Sequence, residues 1–172
     1  IYLLSLTFAQ SQNGKLSPKF YKDKREVFRE KMPENSVAVL FSAPIRNRAN
    51  DVDYVFHQDP DFFYLTGFTE PDAVLVLLSG TRKSQAVMFC RERNPEMELW
   101  NGFRQGPKGV IKNFGMNSAY SIDDINHKFP TFIEGKSHVY YSMGHDQKFD
   151  IQVIGWINDI RDCLLYTSDA AD

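Results

Sequence analysis

The stretch NDVDYVFHQDPDFFYLTGFTEPDAVLVL, residues 50–77, decides the fold more than any other part of the chain. It begins with acids and aromatic residues and ends in an uninterrupted apolar run. Asp59-Pro60 is a turn signal, and the residues after it predict two successive strands, Phe62 to Gly67 and Ala73 to Leu78. A short apolar run between turn residues is typical of a strand that is buried on both faces.

Further strand patterns flank this stretch on both sides. The apolar run 36–42 predicts a central strand. Residues 85–90 predict a strand that pairs with the 73–78 strand as an antiparallel hairpin, because only the short link 79–84 separates them. Residues 137–141 predict a fifth strand.

Helix signals alternate with these strands. Ser17-Pro18 predicts the start of a helix that ends before Pro33, since Ser caps free amides and Pro suits the first helical position. Ser121, followed by acids, predicts a short helix, and residues 150–161 predict another. The side chains expected to face the core are Phe20, Val27, Phe28 and Met32 in the first helix and Ile151, Ile154 and Ile157 in the last. The predicted class is therefore α/β, with a mixed β-sheet flanked by helices.

Composition narrows the possible functions. The chain has 172 residues, of which 42% are hydrophobic and 14% aromatic, and these values favour a folded domain over a disordered segment. A net charge of -2 offers no basic excess for phosphates, so we expect no nucleic-acid partner. The two cysteines, Cys90 and Cys163, do not suggest a disulfide scaffold or a zinc site, and Cys90 ends an apolar run that predicts a buried thiol.

No catalytic motif stands out from the residues themselves. The acids at 51, 53, 59 and 61 fail the spacing of a calcium loop and are expected as turn residues of an exposed loop. The four histidines lack zinc-ligand spacing, and neither a Gly-x-Ser-x-Gly pentapeptide nor a phosphate loop is present. Arg91 and Arg93 would lower the pKa of a neighbouring thiol, but the apolar run before Cys90 argues for burial instead. We therefore predict no catalytic and no metal-binding residue in this chain.

Both ends predict a piece of a longer protein. Residues 1–10 are short, apolar and end in a small residue, which is typical of the end of a signal peptide that is cleaved near Ala9; a core strand is the alternative. The run is too short to span a bilayer, so we expect no membrane association after its removal. A signal peptide would place the protein in a periplasm or outside the cell, and otherwise we expect it in the cytoplasm. Residues 162–172 are predicted to be a truncated or non-native tail.

The blocks QDPDFFYLTGF, residues 58–68, and EPDA, residues 70–73, resemble the N-terminal domain of Xaa-Pro aminopeptidases (aminopeptidase P), of the creatinase and prolidase family. The resemblance covers residues 17–161 and implies a small α/β domain. It also implies a parent enzyme that removes the N-terminal residue preceding proline, with two Mn²⁺ ions held in a C-terminal catalytic domain. That domain is missing from this chain, so we predict that the chain alone is inactive.

A second block, residues 91–106, resembles the family segment that contains Glu-x-Trp-x-Gly, here Glu98 to Gly102. In the family this loop lies near a neighbouring subunit's active site. The resemblance thus implies that Trp100 contacts the substrate cleft or another subunit, with Asp51 and Arg104 as weaker candidates. The implied partners are the protein's own catalytic domain, further copies in a homo-oligomer, and proline-containing peptides. From the residues alone, Trp100 could equally pack back on its own domain.

A different class of function stays open. Related N-terminal domains also occur in proteins that are not peptidases. The chain could therefore be a free-standing, non-catalytic binding or assembly module of the same fold.

Overall fold

The computed structural model describes residues 16–80 and 85–168, with side chains described as far as residue 162. Its strands are β1 (Ser36–Phe41), β2 (Asn47–Ala49), β3 (Val52–Asp53), β4 (Val74–Leu78), β5 (Gln85–Cys90), β6 (Ser118–Ser121) and β7 (His138–Tyr141). Its helices are α1 (Pro18–Glu30), α2 (Pro60–Thr66), α3 (Pro95–Asn101), α4 (Gly106–Phe114), α5 (Ile125–Lys128), α6 (Pro130–Ile133) and α7 (Gln147–Ser168), with a 3₁₀ turn at Ile122–Asp124.

The main sheet of the described chain has the order β6-β5-β4-β1-β7. β4 runs antiparallel to both β1 and β5, while β7 is parallel to β1 and β6 is parallel to β5. The predicted α/β class with a mixed sheet flanked by helices is therefore confirmed, as is the hairpin pairing of β4 with β5. All five residues of β4 are buried, which explains their continuous apolar sequence.

Helices cover both faces of this sheet, so there are two apolar layers. One layer lies under α5, α6 and α7, and the other under α2 and α4. Side chains alternate between the layers along each strand, as the pleat requires. In β4, for example, Val74 and Val76 face the first layer, whereas Leu75 and Leu77 face the second.

The predicted strand over residues 62–67 is wrong, because these residues form α2. The Asp59 carboxylate caps the helix by accepting a hydrogen bond from the Phe62 N–H at 2.8 Å. Pro60 occupies the first turn, and Gly67 ends the helix in the left-handed conformation at φ 67°. Phe62 and Leu65 are buried on one face, three residues apart, so the aromatic run has the period of a helix.

The expected apolar face of the first helix is wrong for Val27 and Phe28, although Met32, just after α1, packs against the core as expected. Tyr21 and Arg25 are buried, whereas Val27 is 49% exposed and Phe28 37% exposed. Arg25 turns inward because its guanidinium finds backbone carbonyl acceptors there, the nearest being Leu65 O at 2.8 Å. A search for apolar residues does not detect such a buried, hydrogen-bonded cation.

Several other expectations need correction at the level of boundaries. α7 starts before residue 150 and continues to Ser168, because residues 162–168 contain neither Gly nor Pro. Its buried side chains include Val153 and Trp156, and Ile157 packs against the core as expected, while Ile151 and Ile154 are exposed. The loop after β1 contains the β2–β3 hairpin, and the long polar segment after β5 contains α3 and α4. The signal-peptide prediction concerns residues outside those described. In the described ranges, no helix is both long and apolar enough to cross a membrane.

Candidate functional site

The candidate site begins at α3, a short helix that local sequence specifies clearly. The Asn94 side chain caps it by accepting hydrogen bonds from the N–H groups of Glu96 and Met97, both at 3.1 Å. Pro95 occupies the first turn, and Gly102, at φ 78°, ends the helix. None of the seven side chains of α3 is buried, so the helix is not held by an apolar face.

Residues 94–105, which we name the contact loop, present apolar side chains to solvent. Trp100 is 86% exposed and Leu99 is 85% exposed, and Met97 and Phe103 are also exposed. Trp100 therefore does not pack back on its own domain. A group of large apolar side chains on one short segment is typical of a surface that contacts another protein.

Polar contacts hold the first half of the contact loop. The Arg93 guanidinium donates two hydrogen bonds to the Glu98 carboxylate, at 2.7 and 3.0 Å. This bidentate pair lowers the pKa of Glu98. The same guanidinium lies 4.6 Å from the centre of the Phe103 ring, so a single arginine fixes both an acid and an aromatic side chain of the loop.

A partly buried charge cluster, which consists of Glu70, Arg91 and Arg104, holds the second half. The Gln105 N–H donates to Glu70 Oε1 at 2.9 Å, and Arg91 Nη2 lies 3.6 Å from Glu70 Oε2, an ionic contact too long for a hydrogen bond. Burial raises the pKa of Glu70, while the Gln105 N–H and the charges of Arg91 and Arg104 oppose that rise. The charge of Arg104 thus acts on a partly buried carboxylate, Glu70, that the sequence analysis does not single out.

The signal for Glu70 was present but weak. Glu70 precedes β4 by a few residues and Arg91 directly follows β5, and these two strands pair antiparallel with Val74 opposite Phe89. The end of one strand and the start of the other must therefore lie at the same edge of the sheet.

Asp51, the third candidate, lies elsewhere in the fold. It is exposed in the turn between β2 and β3. Within the described parts of the chain, no hydrogen bond or ion pair joins Asp51 to Trp100 or Arg104. The structure brings Arg104 and Trp100 into one loop and does not bring Asp51 to them.

A groove of about 690 Å³ is a second candidate site, and no sequence motif points to it. It lies at the carboxyl ends of the parallel strands β1 and β7, against α1 and α2, and its lining includes Phe28, Arg46, Tyr64, Tyr140 and Phe149. The helix that follows β1 lies on one face of the sheet and the helix that follows β7 on the other. Open α/β sheets commonly bind ligands at such a point.

The Cys90 thiol, whose pKa responds to the charge of Glu70, is not available as a nucleophile. Cys90 is fully buried, and burial, followed by the charges of Glu70 and Glu92, raises the pKa of its thiol to about 12. A thiol with so high a pKa stays protonated and inert at neutral pH. Among the residues that the structure describes, no group of three or more His, Cys, Asp or Glu side chains could hold a metal ion.

Comparison with known proteins decides the family. The family model described as aminopeptidase P, N-terminal domain, matches residues 21–140. The chain belongs to this family. The aminopeptidase P resemblance of residues 58–73 and 91–106 is therefore confirmed.

The Xaa-Pro aminopeptidase of Haemophilus influenzae is 36% identical over 128 residues, which cover 74% of this chain and 30% of that protein. The Escherichia coli Xaa-Pro aminopeptidase is 32% identical over 149 residues, which cover 86% and 34%.

Solved structures agree with the aminopeptidase P assignment. The Pseudomonas aeruginosa aminopeptidase PepP superposes with a TM-score of 0.82 at 43% identity, covering 86% of this chain and 34% of that chain. A variant of Escherichia coli aminopeptidase P in complex with substrate superposes with a TM-score of 0.83 at 31% identity over the same shares. The chain thus spans about a third of the length of the relatives it matches.

Proposed function

We propose that this aminopeptidase P N-terminal domain is the non-catalytic part of an Xaa-Pro aminopeptidase, in which it makes oligomer contacts and narrows the substrate cleft. The parent enzyme removes an N-terminal residue that precedes proline, whose tertiary amide lacks the N–H that ordinary peptidases bind. Two Mn²⁺ ions in the catalytic domain supply the hydrolytic chemistry. This domain supplies the surface that decides which peptides reach them.

The observation that carries the proposal is the exposure of Trp100 at 86% on a helix with no buried side chain. An exposed tryptophan side chain contributes little burial free energy to the stability of its own domain. Tryptophan is also enriched among the residues that dominate the binding energy of protein interfaces. The polar contacts of Arg93 with Glu98 and of Glu70 with Gln105 hold the contact loop, and its apolar side chains remain exposed for contact with a partner.

Replacing Trp100 by alanine in the full-length parent enzyme tests this role. We expect kcat/KM for an Xaa-Pro-containing tripeptide to fall about tenfold, the effect of losing about 1.4 kcal/mol of binding energy at an interface. The oligomer measured by light scattering should also dissociate at a higher protein concentration than the wild type. Lys108→Ala is the matched control, because Lys108 is exposed on neighbouring α4 and should change neither quantity.

The result that removes Trp100 from the site is wild-type kinetics together with a wild-type oligomer. Stability separates a contact role from misfolding. Because Trp100 is exposed, its replacement should change the free energy of unfolding by no more than about 0.5 kcal/mol.

The groove of about 690 Å³ favours a second candidate, a free-standing binding module without catalysis. Its volume is within the usual range for small-molecule sites, and Tyr64 and Tyr140 contribute both apolar rings and hydroxyl groups to its lining. Titration of the chain with proline-containing di- and tripeptides, followed by amide chemical shifts, tests this function. Saturable shifts confined to the groove would support it, and shifts absent at millimolar peptide would remove it.

A further inference from the structure

We propose that Glu70 is a positioning residue, whose partly buried carboxylate fixes the contact loop and so aims the Trp100 ring away from the domain. The inference deepens the proposed function and rests on it for its biological meaning. The physical claim concerns this chain alone: without the Glu70 charge, the loop loses its preferred orientation while the core of the domain stays intact.

Glu70 is itself held firmly, as an anchor must be. The Gln58 amide nitrogen donates hydrogen bonds to the backbone oxygens of Phe68 and Glu70, at 3.2 and 3.0 Å. The Gln58 side-chain oxygen accepts from the N–H groups of Ala43, at 2.8 Å, and Asp59, at 2.9 Å. One glutamine therefore joins the Glu70 backbone to the end of β1 and to the cap of α2.

From this base, the Glu70 carboxylate reaches across to the contact loop. It accepts the hydrogen bond from Gln105 N–H, at the point where the loop returns to the domain. Next to it, Gly106 is left-handed at φ 64°, and a Cβ there would lie 2.8 Å from Arg93 Cγ. The return of the loop is thus packed closely against the arginine that holds its first half. Through Glu70, the two sequence blocks that mark the family are in direct contact.

The charge cluster of Glu70, Arg91 and Arg104 is better suited to orienting the contact loop than to stabilising the fold. The side chains of Glu70 and Arg91 are each 13% exposed, yet Glu70 Oε2, Arg91 Nε and Arg104 Nε are buried without a hydrogen-bond partner among the described residues. Buried charges with unpaired atoms stabilise a fold less than apolar packing does. Hydrogen bonds are directional, however, and a charged acceptor strengthens them. The bond that the Glu70 carboxylate accepts from Gln105 N–H therefore fixes the angle of a loop that has no apolar anchor.

Fluorine NMR of the chain labelled with 5-fluorotryptophan tests the proposal. The sequence contains two tryptophans, and the second, Trp156, is buried in the core and serves as an internal control. In Glu70→Gln, which keeps the size of the side chain but removes its charge, we expect the Trp100 resonance to shift or to broaden about twofold as the loop samples more orientations. The Trp156 resonance should not change. Trp100→Phe assigns the two signals.

Glu92→Gln is the matched control, since Glu92 is an exposed acid next to Arg91 in sequence and its replacement should leave both resonances unchanged. If Glu70→Gln does not fold, Arg104→Gln perturbs the same cluster at a half-buried position and carries the same expectation. A wild-type Trp100 resonance in the folded variant overturns the proposal. So does an equal change of both resonances, which would mean that Glu70 supports the whole fold.

This readout is independent of the proposed function. The fluorine signal of Trp100 reports loop orientation without any partner, whereas the kinetics of Trp100→Ala report the contact. A mobile loop in Glu70→Gln together with wild-type kinetics in Trp100→Ala would refute the proposed function and support the positioning role.

Discussion

Replacing Arg25 by methionine is expected to destabilise the domain by about 3–5 kcal/mol. Arg25 is 2% exposed, and its guanidinium donates hydrogen bonds to the backbone oxygens of Leu65, Phe114 and Gly115, at 2.8, 3.0 and 3.1 Å. These oxygens lie at the ends of α2 and α4, where the helix dipole places partial negative charge. One cation of α1 thus binds the carboxyl ends of two other helices.

The magnitude follows from the groups left behind. Loss of the guanidinium leaves three carbonyl oxygens without this donor, and each buried, unpaired group costs about 1–3 kcal/mol. The variant recovers part of this loss, because burial disfavours the Arg25 charge and lowers its pKa to about 10, and methionine carries no charge to desolvate. The net destabilisation by Arg25→Met therefore lies near the lower end of the summed cost of the three unpaired oxygens.

Urea unfolding followed by circular dichroism measures the effect. With a denaturant slope of about 2 kcal/mol/M, the unfolding midpoint should fall by about 1.5–2.5 M. Lys22→Met is the matched control, because Lys22 is exposed on the same helix and loses the same charge to the same residue. Its effect should stay within about 0.5 kcal/mol. Equal midpoints for the two variants would refute the reasoning.

Three further predictions concern the fold. Gly67→Ala should lower the urea midpoint by at least the equivalent of about 2 kcal/mol, since Gly67 has φ 67° and its Cβ would lie 2.4 Å from a tyrosine ring of α1; an unchanged midpoint would count against this. Tyr141→Phe removes the hydrogen bond to the Asp150 carboxylate at 2.9 Å and should lower stability by about 1–2 kcal/mol, read as a lower Tm. The Cys90 thiol should resist iodoacetamide at pH 8 until the chain unfolds. Since its folded pKa, about 12, exceeds the ordinary 9.0, its contribution to stability should be complete below pH 9 and lost between pH 9 and 12; a flat unfolding free energy over that range would contradict it.

The central strands could be predicted from sequence because burial on both faces leaves a pattern that needs no distant information. β1, β4 and β5 are nearly continuous apolar runs, and each forms a strand. Residues 62–67 show the limit of this pattern, because a short apolar run does not distinguish a buried strand from a helix. Asp59 and Gly67 decide the outcome as helix caps, whereas the sequence pattern predicts Asp59 as a turn residue and Gly67 as the last residue of a strand.

The candidate site was predictable only in part. The polar neighbours of Trp100 are visible in the sequence, but they leave packing on its own domain open, and the structure decides for exposure. The burial of Arg25 and the partial burial of Glu70 are not visible in the sequence, since the partners of these charges lie far along the chain. Gln105 is 35 residues from Glu70, and Gly115 is 90 residues from Arg25. A charged side chain is predicted to be exposed unless its partners are known, so both residues required the structure.

Peptidase activity of the purified 172-residue chain is the most direct test of its accessory role. The assay incubates the chain with an Xaa-Pro-containing tripeptide and excess Mn²⁺ and measures the release of the first residue. We predict no release above the rate without protein, because the proposed function assigns hydrolysis to metal ligands in the catalytic domain. Release that requires Mn²⁺ and scales with the concentration of this chain would contradict the account.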